Sequence, residues 1–441
     1  MTTMPSSRPP LRAVARADES HQDLVRRVHE QIIQKLDVRM LDALSPDESR
    51  RQVELAVATI IADMAPSMAV VTRQAITEGV VHEVLGFGPI QPLLDDPEIS
   101  EVMVNAPDAV YYEKDGVLFA SPIAFRDVDH IRRIADRIVA PLGRRLDETA
   151  PMVDARLPNG SRVNIVIAPI AVKSPMITIR KFQTDRFDVE DLIRIGTLTP
   201  QVAGFLRASI ISKINVVISG GTGSGKTTLL NALSAFIPRH ERIVTVEDPL
   251  ELQLRQPHVL SLEARPPTGE SSREFTQRDL VRNALRMRPD RILVGEVRGI
   301  EAFDMLQAMN TGHEGSLTTV HANSPRDALS RIENMVMMAG LSLPERAIRE
   351  QMGSALHLIV QISRLTDGSR RVTHITEVSG LEGEVITLQD IFRFEGQRIG
   401  ADGHVDGKLV AMGIRPAFAE KFVRAGVSEV WMGTPERARL S

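Results

Sequence analysis

The apolar positions of this chain change period twice, and the changes divide it. Leu24, Val25, Val28, Ile32, Leu36, Met40 and Leu41 recur at helical spacing. Ser45-Pro46-Asp47-Glu48 then spells a capping box with proline at the first helical position, which predicts a second helix through Val53, Leu55, Ile60 and Ile61. A third is predicted over about residues 70–84, so residues 21–84 read as an N-terminal helical module. Gly86-Phe87-Gly88-Pro89 interrupts the pattern. Strand-like runs follow at residues 102–105, 110–113, 162–167 and 177–180, with turns at Asp115-Gly116 and Pro158-Asn159-Gly160. With an amphipathic helix over residues 127–139, they make residues 85–181 an α+β domain, and residues 182–198 a linker. From Thr199 helix and strand alternate, as in a parallel, helix-covered sheet. Strands are expected at residues 214–219, 243–247, 291–295, 317–321, 356–363 and 371–378, the last two around an Asp367-Gly368 turn. Residues 199–394 form this α/β domain. Residues 395–441 are a C-terminal extension, with strands about Asp402-Gly403 and a short helix near 417–424, and residues 1–20 are a flexible tail.

Composition narrows the class. At 441 residues the chain exceeds what one hydrophobic core organises, which agrees with several domains. A formal charge of −4 argues against non-specific nucleic-acid binding by the whole surface, though not against a local basic patch. The absence of cysteine excludes disulfides and thiolate metal sites and fits a reducing compartment. No signal-peptide pattern opens the chain, and its most apolar window, residues 55–71, is broken by Asp63 and Pro66. A cytoplasmic protein with no direct membrane span is expected, reaching a membrane through partners.

The candidate chemistry centres on one stretch. Gly220 to Thr227 fits G-x-x-x-x-G-K-[ST], the phosphate-binding loop, between a β-branched run and a helix-forming segment. Gly220, Gly221, Thr222, Gly223, Ser224, Gly225, Lys226, Thr227 and Thr228 are the expected nucleotide-binding residues. Backbone N–H groups cradle phosphate, Lys226 reaches the β- and γ-phosphates, and the Thr227 hydroxyl sits on Mg²⁺. Three apolar runs downstream end in polar groups, where a parallel sheet opens its crevice. The first ends in Glu247-Asp248-Pro249-Leu250-Glu251, whose carboxylates suit polarising water or holding hydrated Mg²⁺. The second ends in Gly295-Glu296. Gly295 stands where many such ATPases place aspartate, so Glu296 would serve the metal-bound water. The third, residues 311–323, carries His313 and His321, of which His321 is better placed to act on the γ-phosphate region and His313 reads equally as a packing residue. Solvated loop acids and a structural histidine are the plain alternatives. Cations completing the site could come from Arg162, Arg180, Arg278, Arg282, Arg298 or Arg331, which the sequence does not rank.

Together these motifs resemble those of the secretion-superfamily ATPases of type II secretion, type IV pili and type IV secretion. More closely, the chain resembles the CpaF/TadA-type motor ATPases of tight-adherence (Flp) pili. The resemblance covers about residues 24–394. It rests on the stretches at 86–90, 99–105 and 152–164, the phosphate loop, the acid box at Glu247-Asp248, residues 285–291 leading to Gly295-Glu296, and residues 311–323. It implies an α/β, RecA-like P-loop motor domain preceded by a PAS-like α+β domain and the helical module. It also implies a homo-hexamer that hydrolyses ATP with Mg²⁺ and works on an inner-membrane pilus platform protein, peripheral to that membrane. Glu247 becomes the acid-box glutamate, Glu296 the Mg²⁺/water glutamate, and Arg180 and Arg331 the arginines at the γ-phosphate. A type IV secretion or conjugation ATPase is the alternative, and a DNA-directed P-loop motor another. The latter would need a basic, aromatic channel, and the chain has one Trp and two Tyr. A scaffold that binds nucleotide without hydrolysing it is opposed by the presence of both Glu247 and Glu296.

Overall fold

Ser45 caps the helix that follows it. Glu48 N donates to Ser45 Oγ (3.4 Å) and Ser45 N to Glu48 Oε2 (3.1 Å), the reciprocal pair the sequence spells. The structure, a computed structural model, describes residues 19–427 apart from 36–40, 42–43, 115, 183–186, 266–272, 341–342 and 401–404. The expected tail up to residue 18, Leu36 and Met40 of the first helix, Asp115 and the Asp402-Gly403 turn lie outside the described residues. The chain divides into two units, Met1–Thr184 and Asp185–Ser441.

In the first unit, helices α1 (Glu19–Lys35), α2 (Pro46–Met64) and α3 (Val70–Leu85) bury one apolar stripe each. Val28 and Ile32, Val53, Val57, Ile60 and Ile61, and Ile76, Val80 and Val81 make their common core. After the short helix α4 (Gln91–Asp95) come β1 (Ile99–Ala106), β2 (Ala109–Lys114) and β3 (Val117–Ala120), then α5 (Val128–Val139), β4 (Met152–Arg156), β5 (Arg162–Val166) and β6 (Met176–Arg180). The strands form one antiparallel sheet in the order β3-β2-β1-β6-β5-β4, and α5 packs Ile131, Ile134 and Ile138 into the same core as its buried residues. The helical module is tied to this domain by buried polar contacts. His130 Nε2 lies 3.0 Å from Glu83 Oε2, and Arg137 Nη1 donates to Gly86 O at 2.8 Å.

The second unit opens with α6 (Val189–Arg194), a capped helix inside the stretch read as a linker, and α7 (Pro200–Ile211). Asp188 and Asp191 form its capping box, a signal too short for periodicity to register. Then follow β7 (Val216–Gly220), α8 (Lys226–Ser234), β8 (Ile243–Glu247), β9 (Val259–Glu263), α9 (Gln277–Ala284) and β10 (Arg291–Val294). The chain continues through α10 (Glu301–Asn310), β11 (Leu317–His321), α11 (Pro325–Met338), α12 (Glu345–Ala355), β12 (Leu358–Arg364), β13 (Arg370–Glu382), β14 (Val385–Ile399), β15 (Val405–Ala411) and α13 (Ala419–Arg424). Nine strands make one sheet, ordered β15-β14-β13-β12-β7-β11-β10-β8-β9. The six from β12 to β9 are parallel, and β13, β14 and β15 add an antiparallel meander. The residue-394 boundary placed from the sequence falls inside β14, whose register with β15 runs on to Ile399. β9 was not legible as a strand, because it is an edge strand with no fully buried residue. No helix among the described residues is long and apolar enough to cross a membrane.

The C-terminal helix belongs to the sheet's core. Phe422, fully buried, packs edge-on to Phe205 (5.8 Å between ring centroids) and Phe418 (5.6 Å), and Glu377 accepts from Ala417 N at 2.7 Å. Burial, the main cause, pushes the Glu377 carboxyl above its usual range, opposed by backbone N–H donors of Ala417 and Phe418. Phe422→Ala is therefore expected to cost about 3–5 kcal/mol, read as a lower urea midpoint for the second unit. A change under about 1 kcal/mol would show that this helix does not dock.

Candidate functional site

The β7 strand is fully buried, apolar from Val216 to Ile218, and its last residue, Gly220, begins the turn. A Cβ at Gly220 would fall 2.4 Å from Ile362 O, so only glycine lets β12 pass this close. Gly223 (φ +67°) and Gly225 (φ +97°) take left-handed conformations that curl the loop into α8. A Cβ on Gly221 or Gly223 would meet nothing within 4 Å, so the loop's upper surface is open. The helix begins at Lys226, its first N–H groups directed into the loop. Lys226, 7% exposed, donates from Nζ to Gly221 O at 3.0 Å.

Parallel register then brings the distant motifs to this loop. β11 pairs with β7 so that His321 stands opposite Gly220. His321 Nε2 lies 3.2 Å from Lys226 Nζ and 2.8 Å from Glu296 Oε1, so lysine, histidine and glutamate form one chain of contacts. Burial above all, then the Lys226 charge, lowers the His321 pKa, and Glu296 opposes without prevailing. That shift favours the neutral ring at pH 7. Its Nε2 therefore either accepts from Lys226 or donates to Glu296, and one nitrogen cannot do both. Glu296 Oε2 accepts from Arg298 Nε at 2.8 Å, while buried Oε1 has no hydrogen bond of acceptable geometry.

The acid box divides its labour. Glu247 is 1% exposed. One of its oxygens accepts from Thr245 Oγ1 (2.8 Å), the other from the backbone N–H groups of Glu251 (2.6 Å) and Leu252 (2.7 Å). Its carboxylate folds the loop that carries Glu251. The Glu251 Oε2 in turn accepts from the Thr227 hydroxyl at 3.1 Å. Glu251 is thus the acid-box carboxylate in contact with the phosphate loop, a role that the sequence-level choice of Glu247 missed. Charge at a strand tip was visible there, but not which acid faces which way. The same packing accounts for Gly295, since a Cβ there would sit 3.1 Å from Glu247 Cγ. Gln277, at the start of α9, was also missed. With its amide oriented to satisfy both atoms, it donates to Glu296 O and accepts from Asp248 N, each at 3.2 Å, bridging the two acidic tips. No periodicity marks such a residue.

The remaining candidates are placed as follows. His313 lies before β11, at the end of the sheet away from the phosphate loop, where its carbonyl accepts from Ser316 Oγ at 2.8 Å. Arg331 on α11 is exposed, has no ion-pair partner among the described residues, and is near enough to lower the His321 pKa. Arg278 pairs with Asp304 at 2.8 Å, and Arg282 lies 3.9 Å from the same carboxylate. Arg180 ends β6 of the first unit, where the register sets it between Glu101 on β1 and Arg162 on β5. Thr222, Ser224 and Thr228 lie in or beside the loop, and Ser224 Oγ donates to Gly221 O at 2.9 Å.

These groups fit a hydrated divalent cation with a polyphosphate. The Thr227 hydroxyl, the Glu251 carboxylate and the buried, unsatisfied Glu296 Oε1 are hard oxygen donors. The glycine loop and Lys226 supply N–H and ammonium donors for phosphate.

The model of one family, described as Type II/IV secretion system protein, matches residues 83–397. A Mycobacterium tuberculosis protein named for conjugal transfer is 38% identical over 309 residues, 69% of this chain and 87% of that protein. The conjugal transfer protein TrbB of Rhizobium radiobacter is 34% identical over 292 residues, 65% of this chain and 86% of that protein. The crystal structure of the pilus retraction motor PilT with bound ADP superposes with a TM-score of 0.50 at 19% identity, covering 78% of this chain and 87% of that one, and shares the fold.

The divided acid box gives a test. Glu247→Ala leaves two backbone N–H groups without their acceptor and should lower the stability of the nucleotide-free protein by about 2–4 kcal/mol. Glu251→Ala should stay within about 1 kcal/mol. Urea unfolding of the two variants side by side decides it, and equal stabilities would refute the loop-folding role of Glu247.

Proposed function

Because the chain belongs to the Type II/IV secretion system protein family, we propose that it is a Mg²⁺-dependent ATPase of a secretion or pilus machine. The observation that carries this reading is the contact chain Lys226–His321–Glu296 at the mouth of the phosphate loop. The loop amides and Lys226 bind and orient the phosphates. Glu296 accepts a proton from, or orients, the attacking water, and Gln277 and Arg298 hold its position. Neutral His321 polarises the γ-phosphate side. Thr227, Glu251 and Glu296 would hold Mg²⁺ directly or through water, and that ion would neutralise charge on the β- and γ-phosphates. Arg180 and Arg331 are the cations we assign to the transition state.

Beyond ATP hydrolysis, the reading is that of a homo-hexameric cytoplasmic motor. Its domain motions drive assembly, and in some settings retraction, of a tight-adherence pilus through an inner-membrane platform protein. The names of the M. tuberculosis and R. radiobacter relatives favour a second reading, a type IV secretion or conjugation ATPase. A strain lacking the gene separates them, by loss of surface pili in the first case and of DNA or protein transfer in the second.

Two substitutions test the chemistry. Lys226→Ala should weaken ATP binding by roughly tenfold or more. Glu296→Gln should bind ATP within a few-fold of the parent and lose roughly a hundredfold or more in turnover. Calorimetric titration with ATP and a phosphate-release assay, each with and without the platform protein, provide the readouts. A Glu296→Gln protein turning over at the parent rate would end this assignment.

A further inference from the structure

β7 lies between β11 and β12, so the phosphate loop has two flanks. One carries His321, Glu296 and the acid box. The other is the β12–β13 hairpin, whose turn closes through Leu365 N to Ser369 O at 2.8 Å. Arg364 and Arg370 face each other across this hairpin, so their side chains leave the same face. Both are exposed. Arg370 Nε donates to Gly223 O at 3.0 Å, and its Cδ would lie 3.3 Å from a Cβ on Gly225. Its stem is therefore laid against the two left-handed glycines of the loop. Among the described residues its Nη atoms have no hydrogen-bond acceptor, and neither arginine has an ion-pair partner. The one acid of the turn, Asp367, accepts from Ser369 N at 2.9 Å and from Val405 N at 2.8 Å. Two like charges directly opposed destabilise a strand pair. Beside a loop built to hold phosphate, an anion seated between them offsets that cost.

We propose that Arg364 and Arg370 clamp the phosphate chain of the bound nucleoside di- or triphosphate on its nucleoside side. The inference rests on the nucleotide-binding reading above and extends it to a flank that no motif marks. Lys226, His321 and Glu296 occupy the γ-phosphate flank, which leaves this one for the phosphate nearest the nucleoside. Arg370 keeps Nε on Gly223 O and offers its Nη fork to phosphate oxygens, and Arg364 supplies the opposing cation. The clamp acts on ADP as well as ATP, because it does not touch the terminal phosphate.

Equilibrium binding of a fluorescent ADP to the full-length protein tests this, with inorganic pyrophosphate and adenosine as competitors. Arg370→Gln and Arg364→Gln should each weaken ADP and pyrophosphate by roughly tenfold and leave adenosine unchanged. The nucleotide-free melting temperature should hold or rise, since each variant removes one of two opposed charges. Arg370→Lys should recover part of the affinity, as it keeps the charge without the fork. ADP affinities within twofold of the parent in both glutamine variants would overturn the clamp while leaving the ATPase reading intact. Equal weakening of adenosine would overturn it too, by assigning the arginines to the nucleoside. A parent protein that binds no ADP would overturn both readings.

Discussion

One buried side chain sets the register on which the site depends. Asn215, fully buried just before β7, accepts through Oδ1 from Gly315 N (2.7 Å) and Ser316 N (3.1 Å) and donates through Nδ2 to Ala355 O (2.7 Å). Its backbone O accepts from Leu358 N at 3.1 Å. It thus fastens the starts of β11 and β12 to the start of β7. A slip of one residue in either pairing would turn every side chain of that strand to the other face. Five residues further along, roughly 16 Å at strand rise, the same register sets His321 level with Gly220 and Gln361 beside Ser219. The phosphate-loop end is thereby aligned from the end opposite to it.

A second buried contact does the same for the acidic tips. Arg291, fully buried at the start of β10, pairs with Glu241 before β8 (2.5 Å) and donates to Gly315 O (3.2 Å). A Cβ at Gly315 would come 2.6 Å from Arg291 Nη1, so that glycine is required by the guanidinium's approach as well as by its φ of +83°. Breaking one partner of such a pair leaves an uncompensated buried charge. Asn215 and Arg291 both bind the turn that precedes β11. Residues 312–316 therefore act as a structural keystone, while His321, at the other end of the same strand, meets Lys226 and Glu296.

The sequence made visible whatever depends on local pattern. The bounds of β8 and β11 follow from apolar runs ending in polar residues, and the capping box at Ser45 and the glycine loop follow from turn and cap chemistry. What it hid depends on tertiary juxtaposition. Glu247 and Glu251 look alike at a strand tip, and only the fold turns one inward to hold amides and the other toward Thr227. The α6 helix is six residues long, below the reach of a 3.6-residue period, and β9 is a half-exposed edge strand. Gln277, Arg364 and Arg370 carry no motif. Gln277 and Arg370 matter through a hydrogen bond to a backbone atom of another element, and Arg364 through its place opposite Arg370, none of which spacing along the chain encodes.

His321 shows how these constraints combine into chemistry. The parallel register places it between a cation and an anion, and burial, with the lysine's charge, lowers its pKa in spite of the anion, favouring the neutral ring. A charged imidazolium would bridge Lys226 poorly and Glu296 well, whereas a neutral ring holds one of them at a time. While Lys226 donates to Nε2, the ring offers no proton there to Glu296 Oε1, which has no hydrogen-bond partner among the described residues. A lysine drawn onto phosphate would free Nε2 to carry the proton and donate to Glu296. Glu296 would then gain a donor on Oε1 beside the Arg298 guanidinium already on Oε2, so the hydrogen-bonding choice of one nitrogen ties occupancy of the loop to the hydrogen bonding of this carboxylate.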